Sequence, residues 1–264
     1  MFRVEFGKTF RRIRTYVLGG LLAAVSVLPV VVFATASHPG GGPPFFEFLR
    51  RSGLFAPLAA MVLIQPFILP LGAGLLAGES IAGEASGGTL RYLLVRPVGR
   101  GRLVGAKYGA VMALLGLAVL WVMVVGLLAG VIAFGLHPVP TLSGTELGVG
   151  AATLRVLVTG VYVLASVAGL AAIGMFLSTL TDSAPVATVA IVAIVILSQI
   201  LDGLSSLHAI HPYLLTHDWL AFADLFRSPV AWDRITHGVV VFALYTVAFI
   251  TAALARFRHK DIVS

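Results

Sequence analysis

Residues 78–107 read GESIAGEASGGTLRYLLVRPVGRGRLVGAK and lie between two long apolar runs. The stretch carries five cations, Arg91, Arg96, Arg100, Arg102 and Lys107, against two acids, Glu79 and Glu84. Unpaired charges in that number cannot rest in hydrocarbon, so the stretch sits in water. Its excess of Arg and Lys beside apolar spans assigns it to the cytoplasmic side. Everything before and after it reads as membrane anchoring for this one soluble piece.

The composition agrees. Hydrophobic residues make up 59% of the 264 residues and charged residues 11%, and the mean hydropathy is +1.02. A soluble domain runs at roughly a quarter charged. The net charge of +7 does not point to nucleic acid, because the cations lie next to apolar spans, where anionic lipid and the positive-inside bias account for them. The chain has no cysteine, which excludes disulfides and thiolate metal sites. At about 20 residues per span, residues 1–264 suit one membrane domain.

Working outward, Phe2, Phe6, Phe10, Ile13 and Val17 share one helical face opposite Glu5, Lys8, Arg11 and Arg12. That pattern predicts an N-terminal helix lying in the headgroup plane. A first span follows over 16–36. Arg11-Arg12 and Ala34-Thr35-Ala36 resemble an export signal, but the apolar run exceeds the roughly 7–15 residues of a signal core and more spans follow. The second span, 54–77, contains Pro57, Pro66 and Pro70. Interior prolines kink a helix and free carbonyls, and Gln65 is a candidate partner for such a group. Further spans are expected over 107–134, 151–180, 186–201 and 238–255. Gly105/Gly109 and Gly126/Gly130 are spaced for close helix contact. Residues 203–237 are not a span. Their mixture of His208, His211, His217, Asp218, Asp224, Arg227, Asp233 and Arg234 with Leu, Trp and Phe predicts amphipathic helices in the outer interface, anchored by Trp219 and Trp232.

The cations test this layout. With the N-terminus, residues 78–107, the 181–185 turn and the tail inside, 13 cations are cytoplasmic and only Arg50, Arg51, Arg155, Arg227 and Arg234 lie outside. The reading is therefore all-α: a polytopic protein of the cell membrane with six transmembrane helices and both termini cytoplasmic.

Within the organising stretch, Gly87-Gly88 ends one local structure and Thr89 caps the next. Leu90, Leu93 and Leu94 share a face of a short helix with Arg91 off it, and Pro97-Val98-Gly99 stops it. An exposed leucine face flanked by arginines suits a partner's groove; folding back onto the membrane ends is the alternative.

Gly83-Glu84, Gly88-Thr89-Leu90-Arg91, Leu93-Leu94, Arg96-Pro97-Val98, Arg100 and Gly105-Ala106-Lys107 closely resemble the signature after the second span of type-2 ATP-binding-cassette (ABC) permeases. The ending Phe257-Arg258-His259-Lys260-Asp261-Ile262 is similar to that family's C-terminus. The resemblance covers the whole chain in architecture, but its specific motifs are confined to this loop and the tail. It implies an export-type permease subunit paired with a second permease, as a homodimer or with a paralogue, and docked on a separate cassette ATPase. Residues 78–107 would then hold the coupling helix between spans 2 and 3. By position, Glu84, Thr89, Leu90, Leu93, Leu94, Pro97 and Arg100 would contact or brace the ATPase, and Arg91, Arg96 and Arg100 would tune partner choice. ATP and Mg²⁺ would bind the partner, with no cofactor in this chain.

The rival chemistries lack their motifs. Gly101-Arg102-Leu103-Val104-Gly105-Ala106-Lys107-Tyr108 mimics a phosphate loop one residue short, with Tyr108 in place of the Mg²⁺-binding hydroxyl. An intramembrane protease or transferase is the enzyme alternative, but neither H-E-x-x-H nor G-x-S-x-G occurs, and no catalytic residue is assigned. His208, His211 and His217-Asp218 are candidate metal ligands, but Pro212 interrupts a regular helix there and wet interfacial histidines are commoner; no metal site is expected. The substrate route is nearly featureless, with Gln65 and Gln199 its candidate polar groups beside Asp202 and Arg155. Few intramembrane charges favour an amphipathic or hydrophobic cargo. A permease-like subunit serving assembly of another protein has the same sequence pattern.

Overall fold

The computed structural model describes residues 13–35, 48–86 and 100–259, and within them the side chains of all but residues 13–15, 84–86, 100, 258 and 259. In chain order the elements are α1 (Ile13–Thr35), a 3-10 turn at Gly53–Phe55, α2 (Ala56–Ile64), α3 (Ile68–Ser86), α4 (Arg100–Phe134), α5 (Val149–Leu180), α6 (Ala184–Asp202) and α7 (Trp232–His259). A two-residue antiparallel hairpin, β1 (Val139–Pro140) with β2 (Glu146–Leu147), joins α4 to α5. Among the described residues five helices are long and apolar enough to cross a membrane, and α2 with α3 meets the same test only as a pair bent by 61°. The chain is an all-α polytopic membrane protein. Helices satisfy their backbone polar groups internally, which is what a lipid environment demands.

The helix ends follow local chemistry. Pro185 sits in the first turn of α6, where its missing N–H costs nothing. Helix α4 stops at Gly135, which adopts φ +73°. The helix runs for 35 residues, longer than the 107–134 expected from hydropathy, because Arg100–Ala106 continue it beyond the apolar run.

Helix α5 is central: 61% of its apolar window is buried, against 22–33% for the other single helices. Small residues let its neighbours approach. A Cβ at Gly174 would lie 2.6 Å from Ala77 Cβ, and one at Gly169 would lie 3.1 Å from Leu215 Cδ1. The closest backbone approach joins the turn before α2 to α4. There a Cβ on Gly130 would meet Gly53 O at 2.3 Å, and one on Gly126 would meet Pro57 Cα at 3.0 Å. Gly126/Gly130 is thus a packing pair. Gly105/Gly109, with the same spacing, faces no atom within 4 Å among the described residues.

Three connections interlock at one end of the bundle. Gly53 N–H donates to Gly135 O (3.0 Å) and Leu142 N–H to Phe226 O (2.9 Å). Ser52 Oγ–H donates to His137 O (2.9 Å), and Ser228 N–H to Ser143 Oγ (3.0 Å). The opposite end gathers the end of α3, the start of α4, the α5–α6 turn and the end of α7, where Phe257 is buried.

Three expectations are corrected here. Residues 203–231 form 3-10 turns (Ser205–Leu207, His211–Tyr213, Ala221–Phe226) rather than amphipathic helices. Trp219 is buried, not an interfacial anchor, because Phe222, Leu225 and Phe226 fold into the core beside it; Trp232 is exposed. The last helix begins at Trp232, not 238, so Asp233, Arg234 and His237 lie on its first turns. The N-terminal interfacial helix falls largely on residues 2–12, outside the described residues.

The glycine contact gives a direct test. Gly130→Val should destabilise the detergent-purified protein by about 1–3 kcal/mol, because the intruding methyls meet backbone rather than a movable side chain. Gly105→Val, in open space, should leave the thermal unfolding midpoint nearly unchanged.

Candidate functional site

The proposed docking residues Thr89, Leu90, Arg91, Leu93, Leu94, Arg96 and Pro97 lie outside the described residues. Glu84 is in the last turn of α3 and Arg100 opens α4. The end of α3 and the start of α4 both lie at the end of the bundle opposite the interlocked connections. What the structure defines closely is the element leading to it, the broken pair α2–α3.

The break is set by proline. Pro66 falls in the turn at 65–67 and Pro70 in the first turn of α3; Pro57 lies in the first turn of α2, where it does not kink. With no N–H on Pro70, the carbonyl of Pro66 has no intrahelical donor. Gln199 of α6 supplies one, donating Nε2–H to Pro66 O at 2.9 Å. Gln65, the expected partner, instead turns to α5 and donates to Ser166 Oγ (3.1 Å). Ser166 commits its own proton to Val163 O (2.7 Å), so it accepts from the amide nitrogen. Gln65 Oε1 is left buried without a partner among the described residues.

Two more side chains reach the α3 backbone further along. Thr188 Oγ1 of α6 bonds Gly74 O at 3.1 Å. Ser178 Oγ of α5 donates to Gly78 O (2.9 Å) and accepts from Ala82 N–H (2.8 Å). Residues 78 and 82 are one i, i+4 rung of an α-helix, so Ser178 bonds both polar groups of a single rung of α3. Gly74 and Gly78 make room, since a Cβ on Gly78 would lie 2.9 Å from Thr188 Oγ1. Helix α3 is thus held by neutral hydroxyl and amide groups from two neighbours, along the path from the break to residue 86.

The acidic and histidine residues of 202–237 form two separate clusters. Asp218 and Asp224 are buried. His237 Nδ1 lies 2.7 Å from Asp218 Oδ2, and Arg227 Nε–H donates to Asp224 Oδ1 at 2.7 Å. Arg234 spans both acids at 3.4 and 3.7 Å. Tyr162 OH of α5 donates to Asp218 O (2.6 Å), and Arg155 Nη1 to Leu225 O (2.6 Å). This network ties the cap to α5 and α7. His211 and His217 sit elsewhere, around Asp202 at the end of α6, while His208 is exposed. Of the candidate ligands His208, His211, His217 and Asp218, the fold therefore brings only His211 and His217 together. An apolar cleft between Phe55, Leu58, Leu142, Phe222, Ala223 and Phe226 has a volume of only about 10 Å³, roughly the room one water needs.

A family model described as "Protein of unknown function (DUF2705)" matches residues 23–263. The chain belongs to that family. Over 65 residues this DUF2705 chain is 43% identical to the "Probable ABC transporter permease protein NosY" of Stutzerimonas stutzeri, a match covering 25% of this chain and 24% of the relative. Over 62 residues it is 44% identical to the protein of the same name from Pseudomonas aeruginosa, covering 22% of each. The chain spans about a quarter of the length of the curated relatives it matches. These partial matches support a relation of the DUF2705 chain to ABC transporter permeases.

The two glutamines should respond differently to substitution. Gln199→Leu strips the Pro66 carbonyl of its donor and should lower stability by about 1–3 kcal/mol. Gln65→Leu removes an amide whose oxygen already lacks a partner and should cost less. Thermal unfolding of the two variants in one detergent ranks them, and a reversed order would contradict the assigned bonding.

Proposed function

We propose that the chain is the permease subunit of a type-2 ABC transporter: six spans with α2–α3 counted as one, both termini cytoplasmic, working with a second permease and a separate cassette ATPase that binds ATP and Mg²⁺. The observation that carries this reading is the 43% identity over 65 residues to a protein named as an ABC transporter permease. The loop signature at 83–107 and the excess of cations on one side of the predicted spans support it.

In this reading Leu90, Leu93 and Leu94 dock in a groove of the ATPase, with Glu84, Thr89, Pro97 and Arg100 bracing the segment and Arg91 and Arg96 selecting the partner. Burying three leucines contributes at most about 1.5–3 kcal/mol each. Closure of the ATPases pulls on the end of α3, whose contacts to α5 and α6 are neutral hydrogen bonds that can exchange without stranding a charge. The polar groups on that path, Gln65 and Gln199 included, are uncharged, which favours export of an amphipathic or hydrophobic substrate.

Co-purification with a co-expressed cassette ATPase, taken from the neighbouring reading frame if one is encoded there, tests the docking. Leu90→Arg and Leu93→Arg should each abolish the complex with membrane insertion intact; undiminished complex in both variants would remove the docking role. Because the chain contains no cysteine, Ser86→Cys reports topology directly. A membrane-impermeant maleimide should label it only in inverted vesicles, and labelling of intact cells would overturn the orientation.

A further inference from the structure

We propose that Asp202, His211 and His217 form a binding site for one divalent transition-metal cation of the zinc class. The three side chains come from the last residue of α6 and from the 3-10 segment that follows it. Their ligand atoms all lie within 4.8 Å of one another. His217 Nδ1 is 2.5 Å and His211 Nδ1 4.0 Å from Asp202 Oδ1. Ligands about 2.0–2.1 Å from a tetrahedral ion stand roughly 3.3 Å apart, so the set brackets the required spacing and small side-chain rotations close it. All three residues are partly exposed, with side-chain accessibilities of 16% for His211, 31% for His217 and 29% for Asp202, which leaves an entry path from solvent.

The bonding around His211 orients its ring for coordination. Its Nε2 faces the Leu204 carbonyl at 3.2 Å. A carbonyl only accepts, so Nε2–H donates to it and Nδ1 is the ring atom turned towards the Asp202 carboxylate, 4.0 Å from Oδ1. That gap is too long for a direct hydrogen bond and leaves room for an ion between the two. The Leu204 contact is also the kind of outer bond that orients a ligating imidazole. His217 joins through Nδ1, the ring atom that already faces Asp202 Oδ1.

The surroundings are matched to positive charge. Asp202 ends α6, where the helix dipole favours cations. Among the described residues the side chains that pair with Asp202 are the two histidines, with no Lys or Arg, whereas Asp218 and Asp224 are each paired with arginine. One turn back on the same face of α6, Ser198 Oγ and Thr216 Oγ1 are hydrogen bonded at 2.7 Å. They hold the segment beside α6, so the ligand set is assembled by the fold. Two imidazoles and a carboxylate suit zinc-like ions; Ca²⁺ and Mg²⁺ prefer all-oxygen shells, and Cu(I) prefers sulfur. Three protein ligands leave a fourth position for water or an exchangeable group. The sequence predicts no metal here, because Pro212 interrupts a regular helix and wet interfacial histidines are commoner; Asp202 joins the two histidines only through the 3-10 path of the chain.

The site does not depend on the permease reading and is tested separately, on the tag-free full-length protein in nanodiscs. Titration calorimetry with Zn²⁺ should give one ion per chain, and Co²⁺ should develop the visible absorption of a low-coordinate site. Asp202→Ala and His211→Gln should each weaken Zn²⁺ binding by at least about tenfold, while His208→Ala and His137→Ala leave it unchanged. Apo thermal unfolding midpoints matching wild type establish that the variants fold. Absence of stoichiometric Zn²⁺ binding by the wild type, or unchanged binding in the Asp202→Ala/His211→Gln double variant, would overturn the proposal.

Discussion

The carbonyl of Pro66 is the constraint on which the bundle turns. A backbone acceptor at membrane depth without a donor costs several kcal/mol, and Pro70 removes the donor a helix would supply. The 61° bend between α2 and α3 persists because Gln199 reaches across from α6 to cover that acceptor. Much else follows from the need to keep α6 and α5 close enough to do this. Gly74 and Gly78 thin α3, Gly174 thins α5, and Thr188 and Ser178 extend the same polar contact towards Ser86. The break is a stitched joint with defined partners.

Helix identity and approximate span positions were legible because lipid imposes long apolar runs, and hydropathy detects such runs directly. Partner choice was not. Pro70 frees the carbonyl of Pro66 and Gln65 is the adjacent amide, but the bond comes from Gln199, 133 residues away. Rotation about the break sends Gln65 to α5 instead. The Gly-x-x-x-Gly spacing occurs three times in α4, at 101/105, 105/109 and 126/130, yet among the described residues only Gly126/Gly130 meets another backbone; spacing states that an approach is possible, and tertiary placement decides whether it happens.

The region 203–237 was the hardest to read for a related reason. Its residue types suit an interface, and Trp219 reads as an anchor. Inside the folded cap the same tryptophan is core, because Asp218 and Asp224 are neutralised within the protein and the chain around them can leave water. His211 and His217 were visible as candidate ligands. Asp202 was not, since a 3-10 path rather than a helix brings it back to them. The docking residues at 87–99 rest on sequence pattern alone.

The two arms that flank residue 86 and residue 100 differ mechanically. At about 1.5 Å per residue, the 35 residues of α4 make a rod of roughly 52 Å, well beyond a hydrocarbon thickness of about 30 Å. That rod continues without interruption to the interlocked end of the bundle. The other arm is articulated midway, at residues 65–67. A force applied between them is therefore converted into relative tilt: one limb moves as a stiff lever, and the other folds at its elbow.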